Sequence, residues 1–146
     1  MVGFLGLFVV LGVVGLFGSK TKTVSAAGGG YSLSVIYPAV TRPGLPVRWI
    51  YEVKHRGGFS GPIRIATTQG YLNLFDISSL APQPSSEKAG SGMIVWAFDP
   101  PSGDDFIVSI DAATESGVHE VPSATAGVVI DGRPVVRVRF KTVVVP

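Results

Sequence analysis

From residue 31 onward, hydrophobic and polar side chains alternate with a period of two. The clearest stretch is Pro46–Lys54, where Val47, Trp49, Tyr51 and Val53 fall on one side. Because successive side chains of a strand point to opposite faces, this pattern indicates a half-buried β-strand. The same alternation in later segments, with no segment of useful length at helical period, predicts an all-β domain.

Turn-forming residues interrupt the alternation about every ten residues. We expect Pro46–Lys54 to form a hairpin with Pro62–Thr68, Gly92–Asp99 to form one with Asp104–Ala112, and Asp131-Gly132 to close a third. The predicted runs are Tyr31–Tyr37, Pro46–Lys54, Pro62–Thr68, Tyr71–Ile77, Gly92–Asp99, Asp104–Ala112, Val118–Ile130 and Pro134–Val145, with a surface loop over Ala81–Ser86.

Seven or eight short antiparallel strands in about 115 residues favour an immunoglobulin- or fibronectin-like β-sandwich over a barrel. Trp49 and Trp96 each lie within an alternating apolar run, so we expect both in the core between the sheets.

The N-terminus has a different pattern. Val2–Gly18 contains only Val, Gly, Phe and Leu, and as a helix it would extend about 25 Å, the lower limit for crossing a bilayer. One interpretation is an uncleaved anchor with Lys20 and Lys22 at the membrane interface. The other is a secretory signal peptide cleaved at the small residues of Val24–Ala27.

These segments predict three regions: residues 1–19 as a transmembrane helix or signal peptide, residues 20–30 as a flexible Ala/Gly-rich tether, and residues 31–146 as the β-sandwich. The positive-inside rule applied to Lys20 and Lys22 would keep the domain in the cytosol. The signal-like small residues and the turn-rich β body favour the opposite side. We expect a single-pass membrane protein with an extracytoplasmic β domain.

The net charge of +2 and the pI of about 9.1 raise the question of an anionic partner. Lys20 and Lys22 are the only charged residues among the first 30, and the remaining ten Lys/Arg are balanced by ten Asp/Glu. A nucleic-acid-binding domain would carry a net basic body, so that class is excluded. The chain has no cysteine, which excludes disulfides, thiol catalysis and cysteine-ligated metals.

Catalytic motifs are absent as well. The sequence has neither Gly-x-Ser-x-Gly nor Gly-x-x-x-x-Gly-Lys, so we predict no enzymatic activity, no cofactor and no metal. His55 and His119 are interpreted as solvent-exposed loop residues.

The acidic residues near one predicted turn allow two interpretations. Carboxylates clustered at one end of a sandwich could hold calcium, but turn-forming, solubilising aspartates are the favoured interpretation. The residues concerned are Asp99, Asp104, Asp105, Asp111 and Glu115.

The last run places Arg137, Arg139 and Lys141 on one face. They form a candidate contact for lipid headgroups or an anionic envelope polymer. The alternative, which we favour, is a solvated face paired with carboxylates or charges that protect an edge strand. Tyr31 or Tyr71 could stack on sugars, but core positions are the favoured interpretation.

A set of turn and core residues resembles a group of small, uncharacterised actinobacterial-type membrane proteins with one N-terminal span and one C-terminal β domain. The resemblance implies this architecture and brings no activity or functional residue with it. The residues are Tyr37-Pro38, Arg42-Pro43-Gly44, Trp49, Gly57-Gly58-Phe59, Gly61-Pro62, Phe75-Asp76, Trp96-Ala97-Phe98, Pro100-Pro101, Gly103-Asp104, Asp111-Ala112, Asp131-Gly132-Arg133-Pro134 and Thr142–Pro146.

The expected function is therefore a non-catalytic, membrane-anchored binding or scaffold module, accessory to another membrane or cell-envelope protein. Its expected partners are membrane lipid, through the N-terminal helix, and a protein in the membrane or envelope. The alternative is a secreted carbohydrate- or cell-wall-binding module.

Overall fold

The computed structural model describes residues 20–115 and 122–144. The predicted N-terminal helix lies outside these residues. The elements are β1 (Lys20–Gly28), β2 (Tyr31–Thr41), β3 (Pro46–His55), β4 (Ile63–Thr68), the single helical turn α1 (Gln69–Leu72), β5 (Phe75–Ala81), β6 (Ser86–Gly90), β7 (Met93–Phe98), β8 (Asp105–Thr114), β9 (Ala124–Ile130), β10 (Arg133–Phe140) and β11 (Val143–Val144).

The strands form two sheets that pack face to face. Sheet A has the order β1-β2-β3-β8-β5, with β11 also paired to β2, and sheet B has the order β10-β9-β4-β7-β6. All pairings are antiparallel except that of β11 with β2. The predicted all-β, antiparallel sandwich is confirmed.

Two of the three predicted hairpins are wrong. Strands β3 and β4 lie in different sheets, and so do β7 and β8. The connections 56–62 and 99–104 are longer than a tight hairpin loop and cross from one layer to the other, because each strand must turn its apolar side toward the shared core. The hairpin at Asp131-Gly132 is confirmed, since β9 and β10 pair directly.

The expected tether over residues 20–30 is also wrong. Strand β1 pairs with β2 from Lys20 to Gly28, and Val24 and Ala26 pack against the core. Gly29 and Gly30 form the connecting turn with φ angles of 58° and 83°, which glycine adopts without strain. Small residues suggested a linker, but alternate positions of this segment still face the core.

Three further boundaries differ from expectation. The run Tyr71–Ile77 begins in α1 and ends in β5. Strand β6 follows the proline-rich loop and was not predicted, because its five residues are all exposed and supply no hydrophobic alternation. The expected long final strand ends at Phe140, and the chain then crosses to sheet A as β11.

The core lies between the two sheets. Trp49 and Trp96 are 0% and 2% exposed, which confirms their predicted positions. Trp49 contacts Phe75 edge-on with ring centroids 4.8 Å apart, and Phe98 packs on Phe106 at 5.2 Å. Aromatic side chains from both sheets therefore fill the space between the layers.

A chain of buried hydrogen bonds crosses this core. The indole Nε1 of Trp49 donates to the hydroxyl of Tyr71 at 3.1 Å, Tyr71 bonds to the Thr142 hydroxyl, and Thr142 donates to the Pro38 carbonyl at 2.6 Å. Burial raises the pKa of Tyr71 to about 12, so its hydroxyl stays protonated and can donate. The chain links β3, α1, β2 and the crossing segment before β11.

The first and last long strands meet along one side of the sandwich. A Cβ atom built on Gly28 of β1 would lie 2.4 Å from the Val135 carbonyl oxygen of β10. Only glycine permits this approach, which brings the edge of sheet A against the edge of sheet B.

We expect Tyr71→Phe to lower the free energy of unfolding by about 1–3 kcal/mol, because it leaves the buried Trp49 N–H without an acceptor and removes the hydrogen bond between Tyr71 and Thr142. Urea denaturation of the purified chain measures this change. Tyr37→Phe is the control, since Tyr37 is half-buried and stacks on Phe140. Equal losses in the two variants would contradict the prediction.

We expect Gly28→Ala to cost about 1–3 kcal/mol of stability, because its methyl group would overlap the Val135 carbonyl. Gly90→Ala in β6 is the matched control, since a Cβ there meets nothing within 4 Å. The same denaturation experiment compares them. A Gly28 variant as stable as the Gly90 variant would show that the two edges can separate freely.

Candidate functional site

The outer face of sheet B carries exposed cations separated by small side chains. The strand register places Arg137, Gly127, Ala66, Val95 and Lys88 in one row across five strands. At about 4.8 Å per strand, the two cations at the ends of this row stand about 19 Å apart. The residues between them are too small to shield either charge.

The neighbouring rows add two more cations. Arg139 lies beside Thr125 in the next row, about 7 Å along β10 from Arg137, and Arg64 lies beside Val129 in the row on the other side. We call this surface, formed by Arg64, Lys88, Arg137 and Arg139, the cationic face. All four side chains are exposed.

The cross-strand partners of these arginines are not carboxylates. Arg137 lies opposite Gly127 and Arg139 opposite Thr125. Within residues 20–115 and 122–144, the ion pairs closer than 4.0 Å are Arg48–Asp111 and Lys54–Glu52, both on sheet A. Cross-strand pairing with carboxylates, one form of the favoured interpretation, is therefore wrong for Arg137 and Arg139. The other form, charges on an edge strand, agrees with the position of β10 at the edge of sheet B.

Lys141 follows the end of β10 and is exposed, as expected from the alternation through Arg137 and Arg139. Sequence reasoning missed Arg64 and Lys88, because they come from strands whose neighbours were not known. An isolated cation in one strand gives no signal of what lies two strands away. A role for Arg137, Arg139 and Lys141 in contacting an anionic surface stays a prediction.

The outer face of sheet A has a different charge pattern. The Arg48 guanidinium donates to Asp111 at 2.6 Å, and Ser79 donates to the same carboxylate at 3.0 Å. These hydrogen bonds lower the pKa of Asp111. Because its charges are paired with each other, this face offers less free charge to a partner than the cationic face does.

Two acidic side chains, Glu52 and Asp105, lie near each other further along sheet A. The Glu52 side chain is 14% exposed. Burial, followed by the proximity of Asp105, raises the pKa of Glu52 to about 7, although Lys54 Nζ lies 3.8 Å away. Glu52 therefore changes charge near neutral pH.

His55 is more enclosed than expected for a loop histidine. It ends β3, stacks on Tyr31 with ring centroids 4.0 Å apart, and its Nδ1 lies 2.6 Å from the Gly58 carbonyl oxygen. The ring therefore fixes the start of the 56–62 connection. His119 lies outside the described residues.

The acidic residues considered for calcium do not converge. Asp111 is bound by Arg48, Asp105 lies near Glu52, and Glu115 follows β8 at the other end of the sheet. In the part of the chain that the structure describes, no group of three or more His, Asp or Glu side chains could hold a metal ion.

The two tyrosines considered for sugar stacking differ in position. Tyr71 is fully buried and belongs to the core network, so the stacking role is wrong for it. Tyr31 is half-buried between His55 and Phe59.

Both lysines proposed for the membrane interface lie on β1. Lys20 is its first residue, and Lys22 pairs with Tyr37 and is exposed. The described residues contain no helix of the length and hydropathy needed to span a bilayer. The interface role of the two lysines stays a prediction.

Comparison with known proteins gives structural likenesses only. No family model and no curated protein matches the chain. A non-cellulosomal cohesin from Archaeoglobus fulgidus is similar at a TM-score of 0.43 and 16% identity, covering 86% of this chain and 92% of the cohesin.

Two further structures show a similar degree of likeness. A chain from the complex of CaDoc0917 with CaCohA2 matches at a TM-score of 0.47 and 14% identity, covering 85% of this chain and 100% of that one. The major pilin subunit BcpA of Bacillus cereus matches at 0.45 and 10%, covering 87% and 40%. The likeness concerns the sandwich architecture.

We expect the stability of the protein to fall as the pH rises from about 4.5 to about 7. Glu52 has a raised pKa in the folded state, so the folded protein binds more protons than the unfolded chain in this interval. Glu52→Gln removes this slope. Urea midpoints measured across the interval test the prediction, and an unchanged slope in the variant would contradict it.

Proposed function

We propose that the protein is a non-catalytic binding module, held at a membrane by its apolar N-terminal segment, that binds an acidic surface of another membrane or envelope protein. The observation that carries this proposal is the cationic face. Four exposed cations lie on the outer face of sheet B, and neither Arg137 nor Arg139 has a carboxylate as its cross-strand partner.

The cations of this face are spread widely enough to contact a macromolecular partner. Gly127, Ala66 and Val95 separate Arg137 from Lys88 in the central row. Opposite charges on a partner would be attracted without first displacing an internal ion pair. Charges spread over about 19 Å suit the broad contact area of another protein.

The position of β1 supports retention of the N-terminal segment. Cleavage within Val24–Ala27 would remove most of a strand that pairs with β2 along its whole length. Val24 and Ala26 also pack against the core. A secreted module produced by cleavage there would lose these contacts, so the anchored form is the better candidate.

We place the β domain on the extracytoplasmic side in this proposal. Lys20 and Lys22 argue for the cytosolic side by the positive-inside rule. Protease digestion of intact cells and of permeabilised cells distinguishes the extracytoplasmic from the cytosolic placement of the domain. Degradation of the domain in intact cells supports the extracytoplasmic placement, and protection until permeabilisation overturns it.

A site-specific photo-crosslinker at Ala66, in the middle of the cationic face, tests the binding proposal in intact membranes. We expect it to capture a membrane or envelope protein. Arg64→Gln combined with Arg137→Gln should reduce capture about fivefold, the equivalent of ~1 kcal/mol, because two charge contacts are lost.

The matched control is Lys54→Gln combined with Arg56→Gln, which removes the same charge away from sheet B. A crosslinker at Ser109 on the outer face of sheet A provides a second control. Equal capture from Ala66 and Ser109, or equal losses in the two double variants, would overturn the assignment of the cationic face.

A further inference from the structure

We infer that one end of the sandwich rests directly on an anionic lipid surface; this inference depends on the membrane anchoring proposed above. The end concerned is the one where β1 begins, β2 ends and β11 lies, and we call it the Lys20 end. The opposite end is the one where β3 ends at His55 and β8 begins at Asp105.

The first support is the short distance between the apolar segment and the domain. The apolar stretch ends at Gly18, and β1 begins at Lys20. Two residues of extended chain reach about 7 Å. If Val2–Gly18 crosses a bilayer, the Lys20 end must lie within this distance of the end of the span, because no tether separates them.

The second support is the distribution of charge between the two ends. Lys22, Arg42 and Lys141 are exposed at the Lys20 end. Arg139, the next-to-last residue of β10, is exposed close to the same end. The backbone of Lys20 begins β1 at this same end. Four exposed cations and Lys20 therefore belong to the end that follows the apolar segment.

Among residues 20–115 and 122–144, the carboxylates at the Lys20 end are fewer and lie to one side. Asp76 is on β5, at the edge of sheet A away from β1, and the Glu115 amide bonds the Leu74 carbonyl next to β5. The opposite end has no excess of cations, with Lys54, Arg56, Arg64 and Arg133 against four aspartates. Those aspartates are Asp99, Asp104, Asp105 and Asp131.

The third support is an exposed apolar side chain among these cations. Val143 of β11 is 49% exposed and pairs with Val40 beside the start of β1. Cations around an exposed apolar residue are suited to the headgroup region, where charge meets anionic lipid and the apolar group reaches the acyl boundary. The same end carries the attachment point, so an anionic lipid surface is the occupant that these features fit.

This arrangement fixes the orientation of the domain. With the Lys20 end on the lipid, the strands stand away from the membrane and the cationic face points sideways. A neighbouring membrane protein could then reach Arg64 and Arg137 without displacing the lipid contact.

The absence of cysteine in the chain permits single-site labels. Ser123→Cys lies just before β9 at the Lys20 end, and Ser102→Cys lies at the opposite end; both serines are exposed. Each full-length variant is labelled with a fluorophore and reconstituted into vesicles that contain a headgroup-level quencher lipid. One set is phosphatidylcholine, and the other has three parts phosphatidylcholine to one part phosphatidylglycerol.

We expect strong quenching at position 123 in the anionic vesicles, weaker quenching there in the neutral ones, and little at position 102 in either. Arg42→Gln with Lys141→Gln should weaken the preference of the Lys20 end for anionic vesicles. We expect the equilibrium constant for contact between this end and the lipid to fall about fivefold for each cation removed. Arg56→Gln with Arg133→Gln has the same net charge and should preserve it.

Flotation of the same vesicles in alkaline carbonate distinguishes membrane anchoring by the N-terminal segment from contact of the Lys20 end with lipid. Some chains could float but show equal quenching at positions 123 and 102, or no dependence on phosphatidylglycerol. That result would overturn the contact of the Lys20 end with lipid and leave the anchoring intact. Chains that do not float would overturn both the anchoring and the contact of the Lys20 end with lipid. Equal effects of the two double variants would show that net charge, rather than the Lys20 end, is responsible.

Discussion

The structure depends on the buried hydrogen-bond chain that runs from Trp49 through Tyr71 and Thr142 to the Pro38 carbonyl. Each of these polar groups would be costly to bury alone, so the network is stable only when all members are in place. Thr142 comes from the segment that leaves sheet B, and Pro38 belongs to sheet A. The path of the chain between the two layers is thus determined by a polar interaction within an apolar core.

The outer faces of the two sheets differ in charge pairing, although both sheets alternate apolar inward and polar outward side chains. Inward positions are apolar in both sheets, which is why the sequence alone predicts the fold class. Outward positions are free to vary, and they differ in charge pairing: sheet A holds Arg48 against Asp111, whereas sheet B places Arg137 beside Gly127. The candidate site comes from this difference between outward faces.

Prediction from the sequence succeeded where the residues of a single strand or turn determine the structure. Trp49, Trp96 and the Asp131-Gly132 turn were placed correctly because local alternation and turn chemistry determine them. The sequence did not predict that the strands of two expected hairpins lie in different sheets. Sheet membership depends on which side of the core each strand packs against, and local alternation does not determine this. Strand β6 was missed because its residues are all exposed, and Lys88 was lost from the predicted site with it.

The contact between Gly28 and Val135 has a consequence for the order of synthesis. Strands β1 and β2 are made first, but β1 meets β10 and Pro38 accepts its hydrogen bond from Thr142. The sandwich therefore cannot close until β10 and Thr142 have left the ribosome. Folding of this topology requires contacts of long sequence separation and is expected to be slow. During translation, the earliest strands would wait with their edges uncovered for the last ones to arrive.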